Sequence, residues 1–221
     1  MEVHEALYTT RAMRRVRPDP VPHDTQARIL DAAIRAPSGG NSQAWRFVLV
    51  DSAELKSKLG PLYRDSIAKL WETNYKDRIE QALASPDLPA NIGVLKVQRS
   101  AQWLADHYED VPLFLFAYVR HDPSGGSIYP AVWSAQLAAR AEGVGSALTS
   151  ILGSFHGAEV GELLRVPGNG WTNACMVSFG YPIGRWGVAP RRSVDEVAGR
   201  NGWDGELGFS VPSPLWEGSA G

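Results

Sequence analysis

Apolar positions recur with a helical period over the first part of the chain and then form a short continuous run. The helical period predicts amphipathic helices over residues 3–13 and 25–35. Val3, Leu7 and Met13 would face a core from the first of them. The run WRFVLV that follows is short and apolar, which predicts a buried strand.

The rest of the chain continues to alternate helical segments with apolar strands. The full prediction places helices at 3–13, 25–35, 53–60, 61–83, 94–107, 129–142 and 158–164, and strands at 45–50, 110–119, 146–152 and within 171–181. The run DVPLFLFAYV is the densest apolar stretch and is expected to be a central strand. Helices alternating with about four strands indicate an α+β or mixed α/β fold.

The length of 221 residues predicts one domain with appendages. We place the domain at residues 1–198 and an irregular tail, rich in Gly, Ser and Pro, at residues 199–221. The net charge of −2 gives no basic field for nucleic acid, and no apolar run approaches the roughly 20 residues of a membrane helix. The single cysteine, Cys175, excludes an intramolecular disulfide and is expected to be an inert buried thiol. These features predict a cytoplasmic protein.

Side-chain chemistry for common reactions is missing from the sequence. The five histidines stand far apart without zinc spacing, and no HExxH, G-x-S-x-G or P-loop motif occurs. Gly143 and Gly145 resemble part of a dinucleotide fingerprint, but they follow a helix and the third glycine position is Leu148. A bound cofactor is therefore the natural source of chemistry.

Two stretches could contact such a cofactor. Arg11 and Arg14 are three residues apart on the predicted first helix, so they would share a face and converge on one anion, unless they are only a solvated charged face at a helix end. The loop APSGGNSQAW combines turn residues with the side-chain amides of Asn41 and Gln43.

Four segments, taken in order, resemble the nitroreductase family of FMN-dependent oxidoreductases. They are TTRAMRRVRPDPVP, APSGGNSQAWRFVLV, YPAVWSAQLAARAEGVGSALTSI and VSFGYPIGRWGVAPRRSVDEV, and the resemblance runs from about residue 9 to residue 197. It implies an α+β fold with a central, largely antiparallel sheet covered by helices. It also implies an intertwined homodimer with two FMN sites at the subunit interface.

The resemblance also assigns cofactor contacts. The family's Arg-Ser-x-Arg motif, which binds the FMN phosphate and ribityl chain, matches RAMR here, with alanine in place of serine. The Pro-Ser-x-x-Asn-x-Gln-Pro-Trp loop, which reaches the partner's flavin, matches with Ala44 in place of the second proline. The family's segment near flavin N5 matches the residues TSI at 149–151. A late arginine of the family binds the phosphate, and Arg191 is the best match to it, with Arg192 as the alternative. The residues assigned are Arg11, Ala12, Met13, Arg14, Pro37, Ser38, Asn41, Gln43, Thr149, Ser150, Ile151 and Arg191.

The activity implied by the resemblance is ping-pong hydride transfer. NADH or NADPH would reduce FMN at N5, and an electron-poor acceptor, such as a nitroaromatic or quinone, would then take the electrons. Trp71, Tyr75 and Trp103 are candidates for the substrate side, although they could equally be core aromatics. Other outcomes within the family are an oxidase or dehydrogenase, a dehalogenase, destruction of the flavin, a deazaflavin in place of a nicotinamide or of FMN, and a non-catalytic FMN-binding protein. The tail could wrap the partner subunit.

Overall fold

The computed structural model describes residues 1–216, which divide into two compact units. One unit comprises Ala12–Arg185 and contains the sheet. The other comprises Met1–Arg11 together with the chain from Trp186 onward. Between residues 199 and 216 this second unit has no helix or strand, as the sequence predicted.

The described residues form seven α-helices and four strands. The helices are α1 (Val3–Thr9), α2 (His23–Ala33), α3 (Ala53–Thr73), α4 (Lys76–Ala84), α5 (Pro89–Asp106), α6 (Ile128–Ala141) and α7 (Ile151–Leu163). The strands are β1 (Trp45–Val50), β2 (Leu113–Val119), β3 (Gly145–Thr149) and β4 (Thr172–Gly180). They form one sheet in the order β1-β2-β4-β3, in which every neighbouring pair is antiparallel. This confirms the α+β fold with an antiparallel sheet.

The central position of β2 explains why its sequence is apolar throughout. Side chains of a strand alternate between the two faces of a sheet, so a strand that is covered on both faces needs apolar residues at every position. Phe114, Phe116 and Tyr118 belong to a core that α3, α5 and α7 complete. Leu113 and Leu115 point to a second core, which α2 and α6 complete. The sheet is therefore the middle layer between two layers of helices.

The first predicted helix is shorter than expected. It ends at Thr9, because the backbone at Thr10 is extended and the following segment instead pairs with the sheet through a bridge to Ser146. Met13 is buried, as predicted, but it lies outside the helix. Val3 and Leu7 are 61% and 42% exposed, so the prediction that they face a core is wrong for this chain.

Because the first helix ends at Thr9, Arg11 and Arg14 do not share a helix face, and that prediction is also wrong.

Three other boundaries differ for identifiable reasons. The sequence predicted two helices, at 53–60 and 61–83, with the break at Pro61. The structure instead has Pro61 inside α3, and the break between α3 and α4 comes after Thr73. The buried stripe of α3 continues through the proline and outweighs the lost hydrogen bond. The predicted loop at 85–93 is cut short because α5 begins with Pro89 at its first position.

The strand predicted at 146–152 ends at Thr149, and α7 begins at Ile151, seven residues before the helix predicted at 158–164. The predictions for β1 and α6 are confirmed, the first at both ends and the second within one residue. None of the helices among residues 1–216 is long and apolar enough to cross a membrane.

Candidate functional site

A cavity of about 350 Å³ lies in the unit formed by Ala12–Arg185. One side, which we call the sheet wall, is formed by Arg14, Leu148, Thr149 and Ile151. The other side, which we call the helical wall, is formed by Trp71, Tyr75, Arg78, Ile79, Ala90, Gly93, Val94 and Val97. Tyr63, Ile67, Leu70 and Ala101 complete the lining. Five residues that were predicted separately as cofactor or substrate contacts therefore meet in one place.

Arg14 supplies a cation to the sheet wall. Its position follows from the backbone of Met13, whose N–H donates to the carbonyl oxygen of Ser146 at 2.8 Å and fixes the segment along β3. Burial disfavours the charged form and lowers the pKa of Arg14. Arg14 makes no ion pair with a carboxylate among residues 1–216. A partly buried cation without a carboxylate partner is a natural contact for an anionic group of a ligand.

Thr149 and Ile151 come from the point where β3 passes into α7. Thr149 is the last residue of the strand, and the backbone N–H of Ile151 donates to its Oγ1 at 3.4 Å. The first N–H groups of a helix have no partner within the helix, and at the start of α7 the long bond from Ile151 to Thr149 satisfies one of them. Ser150, between the two, lines a separate hollow of about 640 Å³. The structure thus brings Thr149 and Ile151 into the cavity and leaves Ser150 outside it.

Two aromatic residues of the helical wall were predicted and lie in the cavity. The rings of Trp71 and Tyr75 are 5.6 Å apart and tilted by 72°, an edge-to-face arrangement. The indole N–H of Trp71 is buried and has no hydrogen-bond partner in the described part of the chain. Trp103 does not line this cavity, because it lies on another face of α5 and stacks on His107 at 4.1 Å.

The loop that carries Asn41 and Gln43 lies outside the cavity of its own chain and is exposed. The backbone N–H of Gln43 donates to Ser38 Oγ at 3.1 Å, and Gln43 Nε2 donates to Asn41 Oδ1 at 3.1 Å. Asn41 and Gln43 both have positive φ, of 53° and 46°, and their short-range bonds hold this left-handed backbone. Pro37, just before the loop, is exposed as well. The loop is thus an exposed, internally bonded group of amides.

Two predicted arginines, Arg11 and Arg191, belong to the other unit. Arg191 is exposed, and its Nη1 donates to the carbonyl oxygen of Pro190 at 2.8 Å. Ala12 forms a parallel bridge with Ser146, and the side chain of Met13 is buried against Gly145. These two residues therefore position Arg14 through the backbone rather than through polar side chains.

Sequence reasoning missed a large part of the helical wall. Ala90, Gly93, Val94 and Val97 of α5 line the cavity at helical spacing, and Arg78 of α4 joins them. The signal that could have found the α5 residues is their small size, repeated on one face at intervals of three or four.

Other candidate chemistry is accounted for within residues 1–216. Cys175 is fully buried, which confirms the predicted buried thiol, and burial raises the pKa of the thiol to about 12. Tyr63, at the back of the cavity, is also buried, and this raises the pKa of its hydroxyl to about 12. No group of three metal-ligating side chains occurs among these residues.

Comparison with known proteins defines the class to which this site belongs. A sequence model of the nitroreductase family matches residues 7–181, so the chain belongs to the nitroreductase family. The fold is that of solved nitroreductases: the FMN-dependent nitroreductase of Mycobacterium smegmatis in complex with NADPH superposes with a TM-score of 0.65 at 22% identity, covering 88% of this chain and 96% of that one.

Relatives with different functions are similar to this chain in sequence. The chain is 36% identical over 107 residues to an NADH dehydrogenase of Thermus thermophilus, which covers 46% of this chain. That match spans 51% of the Thermus protein, about half of its length. The chain is also 30% identical over 182 residues to 5,6-dimethylbenzimidazole synthase of Rhodospirillum rubrum, covering 80% of this chain and 81% of that protein.

Proposed function

We propose that this protein binds FMN and reduces an electron-poor organic acceptor, such as a nitroaromatic or a quinone, at the expense of NADH or NADPH. The observation that carries the proposal is the single cavity in which Arg14, Thr149 and Ile151 face Trp71 and Tyr75. One wall offers a cation and backbone donors, and the other offers aromatic surface. The family and the FMN-bound solved neighbours support the choice of cofactor.

The residues present fit FMN on chemical grounds. The cofactor carries a phosphate and, along its pyrimidine edge, two carbonyls and an N–H, so it requires cations and hydrogen-bond donors. Arg14 is a partly buried cation that lacks a carboxylate partner within the described chain, which suits a contact with an anionic or carbonyl group. Arg11 and Arg191 are further cations that the family pattern assigns to the phosphate.

When bound, FMN supplies the redox chemistry by accepting a hydride from the nicotinamide and passing electrons to the acceptor. The protein has a more limited part. Arg14 and the backbone donors at the start of α7 hold and orient the ring system and favour negative charge on it. Trp71 and Tyr75 cover the site and exclude water. No dedicated acid or base is required, and the described lining of the cavity contains no Asp, Glu or His.

We further propose that the working protein is a homodimer. The exposed loop with Asn41 and Gln43 lies outside its own chain's cavity, which supports a role at the partner's flavin. Trp203 and Phe209 of the tail are 95% and 56% exposed, and a partner subunit would give them a surface to bury. The single cysteine supports function in the reducing cytoplasm.

The test is an anaerobic absorbance titration of the purified yellow protein with NADH and NADPH in parallel. Bleaching of the flavin band by at least one of them is expected, followed by recovery when a nitroaromatic or quinone is added. Size-exclusion chromatography of the same sample tests the dimer. A yellow protein that neither nicotinamide bleaches would contradict the reductase function, and a protein that is colourless and takes up no FMN would contradict the cofactor.

A second candidate is a reaction of the kind named by the Rhodospirillum rubrum relative, because that match covers 80% of the chain. Mass spectrometry distinguishes the two functions. Formation of 5,6-dimethylbenzimidazole, with loss of FMN during aerobic turnover, would favour the synthase. Recovery of intact FMN after many turnovers with an acceptor would favour the reductase.

A further inference from the structure

Arg78 is a cation of the helical wall that forms no ion pair with a carboxylate among residues 1–216. Its side chain is exposed, and it forms no hydrogen bond or ion pair with any residue from 1 to 216. Within α4, the positions one turn further along are Gln81 and Ala82, and neither carries a negative charge.

Four other cations of the chain each form an ion pair with a carboxylate four residues earlier. These pairs are Arg28–Asp24, Arg35–Asp31, Lys58–Glu54 and Lys69–Asp65. Arg78 has no such pair and, unlike those four cations, lines the cavity. The absence of a local partner leaves its guanidinium group available to a ligand.

The cavity around Arg78 favours a particular ligand chemistry. Its helical wall is otherwise apolar or aromatic, and no Asp or Glu is among the residues that line it. The buried indole N–H of Trp71 is a second donor that lacks a partner in the described chain, and an unsatisfied buried donor is costly unless a ligand satisfies it. A neutral acceptor would form no ion pair with Arg78.

We infer that the acceptor of this protein is an aromatic carboxylate, whose ring packs in the apolar cavity and whose carboxylate is bound by Arg78 and the indole N–H of Trp71. This inference rests on the proposed function, because it names the substrate class of the same site. Arginine binds a planar carboxylate through two parallel hydrogen bonds. A carboxylate matches the single charge of Arg78 on this wall, whereas a phosphate dianion would leave one charge uncompensated.

The test compares two ligands that share a nitroaromatic ring and differ in charge, 4-nitrobenzoate and 4-nitrobenzamide. Their dissociation constants are measured by isothermal titration calorimetry on the purified holoprotein without nicotinamide, so no turnover occurs. The acid is expected to bind about 10-fold more tightly than the amide, the effect of one charge-assisted contact. Because Arg78 is exposed, the preference should shrink as salt is raised.

Variants assign the preference to residues. Arg78→Gln should abolish the preference for the acid and leave amide binding within about 2-fold, and Arg78→Lys should restore part of it. Trp71→Phe keeps an aromatic ring without the N–H and should weaken binding of the acid by about 3-fold. Arg99→Gln is the matched control, because Arg99 lies on α5, donates to the carbonyl oxygen of Leu95 and does not line the cavity.

The outcomes separate this inference from the proposed function. A yellow protein that binds the acid and the amide equally, or an Arg78→Gln variant that keeps the preference, would overturn the inference and leave the flavin reductase standing. A colourless protein that takes up no FMN would overturn the proposed function and the inference with it. A charge preference that is present in the yellow wild type and lost only with Arg78 supports both.

Discussion

The sheet wall and the helical wall of the cavity differ in the burial of the residues that surround them. Behind the sheet wall, Ala147 and Leu152 are each 1% exposed, and β3 is paired with β4 along its length. In the helical wall and beside it, Leu83, Leu88 and Val97 are between 56% and 60% exposed. The sheet wall, which we propose as the cofactor side, is therefore backed by the core, whereas the helical wall, which we propose as the substrate side, is a layer of helices with exposed apolar residues.

The difference indicates how one fold can serve several acceptors. A wall that is part of the core cannot change without loss of stability, because its residues have close neighbours on all sides. A wall with half-exposed residues can be substituted at little cost. The sheet wall is thus suited to a constant cofactor, and the helical wall is suited to variation in substrate.

The largest effect should come from truncating a buried residue in the core behind the sheet wall. Leu152→Ala is expected to lower the free energy of unfolding by about 2–5 kcal/mol, because it leaves a cavity in the core beneath α7. Val97→Ala in the helical wall is the matched truncation and should change it by less than about 0.5 kcal/mol. Urea unfolding of both variants measures the contrast, and equal losses would contradict the description of two unlike walls.

A smaller effect is expected for the cation of the sheet wall. Arg14→Gln should weaken FMN binding by about 10- to 100-fold, because it removes a charge-assisted contact in a partly buried site. The neighbouring Arg15→Gln, on an exposed side chain that does not line the cavity, is the control. Fluorescence titration with free FMN gives the dissociation constants. If Arg14→Gln keeps the wild-type affinity for FMN while circular dichroism shows an intact fold, Arg14 does not bind FMN.

Two glycines offer a finer comparison of the walls. A Cβ at Gly145 would lie 2.9 Å from the Cβ of Met13, so Gly145→Ala should cost about 1–3 kcal/mol of stability. A Cβ at Gly93 would meet no atom within 4 Å, and alanine is the better helix former, so Gly93→Ala should stabilise by up to about 1 kcal/mol. Thermal unfolding measures both, and opposite signs are expected.

The smallest effect concerns the contact between α3 and α7. His156 of α7 bonds Asp65 of α3 and Glu159 of its own helix, with Lys69 nearby, and the bond to Asp65 is the main cause of a raised His156 pKa. A raised pKa means that the stabilisation is complete below the unfolded pKa of about 6.5 and is lost as pH rises through the folded pKa.

Urea unfolding at a series of pH values tests this contact. The stability difference between wild type and His156→Gln should be largest near pH 6 and should shrink as the pH rises through the raised pKa of His156. His4→Gln, at an exposed histidine beside Glu2, is the control for replacing an imidazole on the surface. A difference for His156→Gln that grows with pH would contradict the assignment.

Much of the architecture was predictable because its signals are local. The strand Trp45–Val50 and the fully apolar β2 follow from runs that only a covered strand explains. The predicted helix boundaries were wrong where long-range packing outweighed the local preference of the chain. Pro61 should end a helix, yet the buried stripe of α3 carries the helix past it. The segment after Thr9 has helical periodicity, yet it extends along β3 because the backbone of Met13 finds a partner in Ser146.

The candidate site was predictable in part. Matching motifs identified Arg14, Thr149 and Ile151, and the structure brings them together in one cavity. Trp71 also lines that cavity, but nothing local distinguished it from Trp103, which packs elsewhere. Which of two tryptophans faces a cavity depends on the rotation of each helix against its neighbours, and no short motif encodes that rotation.

The sequence by itself determined the helix and strand content, the central strand and the family, because periodicity, composition and short motifs act over a few residues. Only the tertiary structure decided that Arg14 from an extended segment, the start of α7 and the three helices α3, α4 and α5 enclose one cavity. It also placed Arg78 in the lining of that cavity, where it forms no ion pair with any residue from 1 to 216. Those relations depend on contacts between residues far apart in the chain, which are fixed only when both cores are packed.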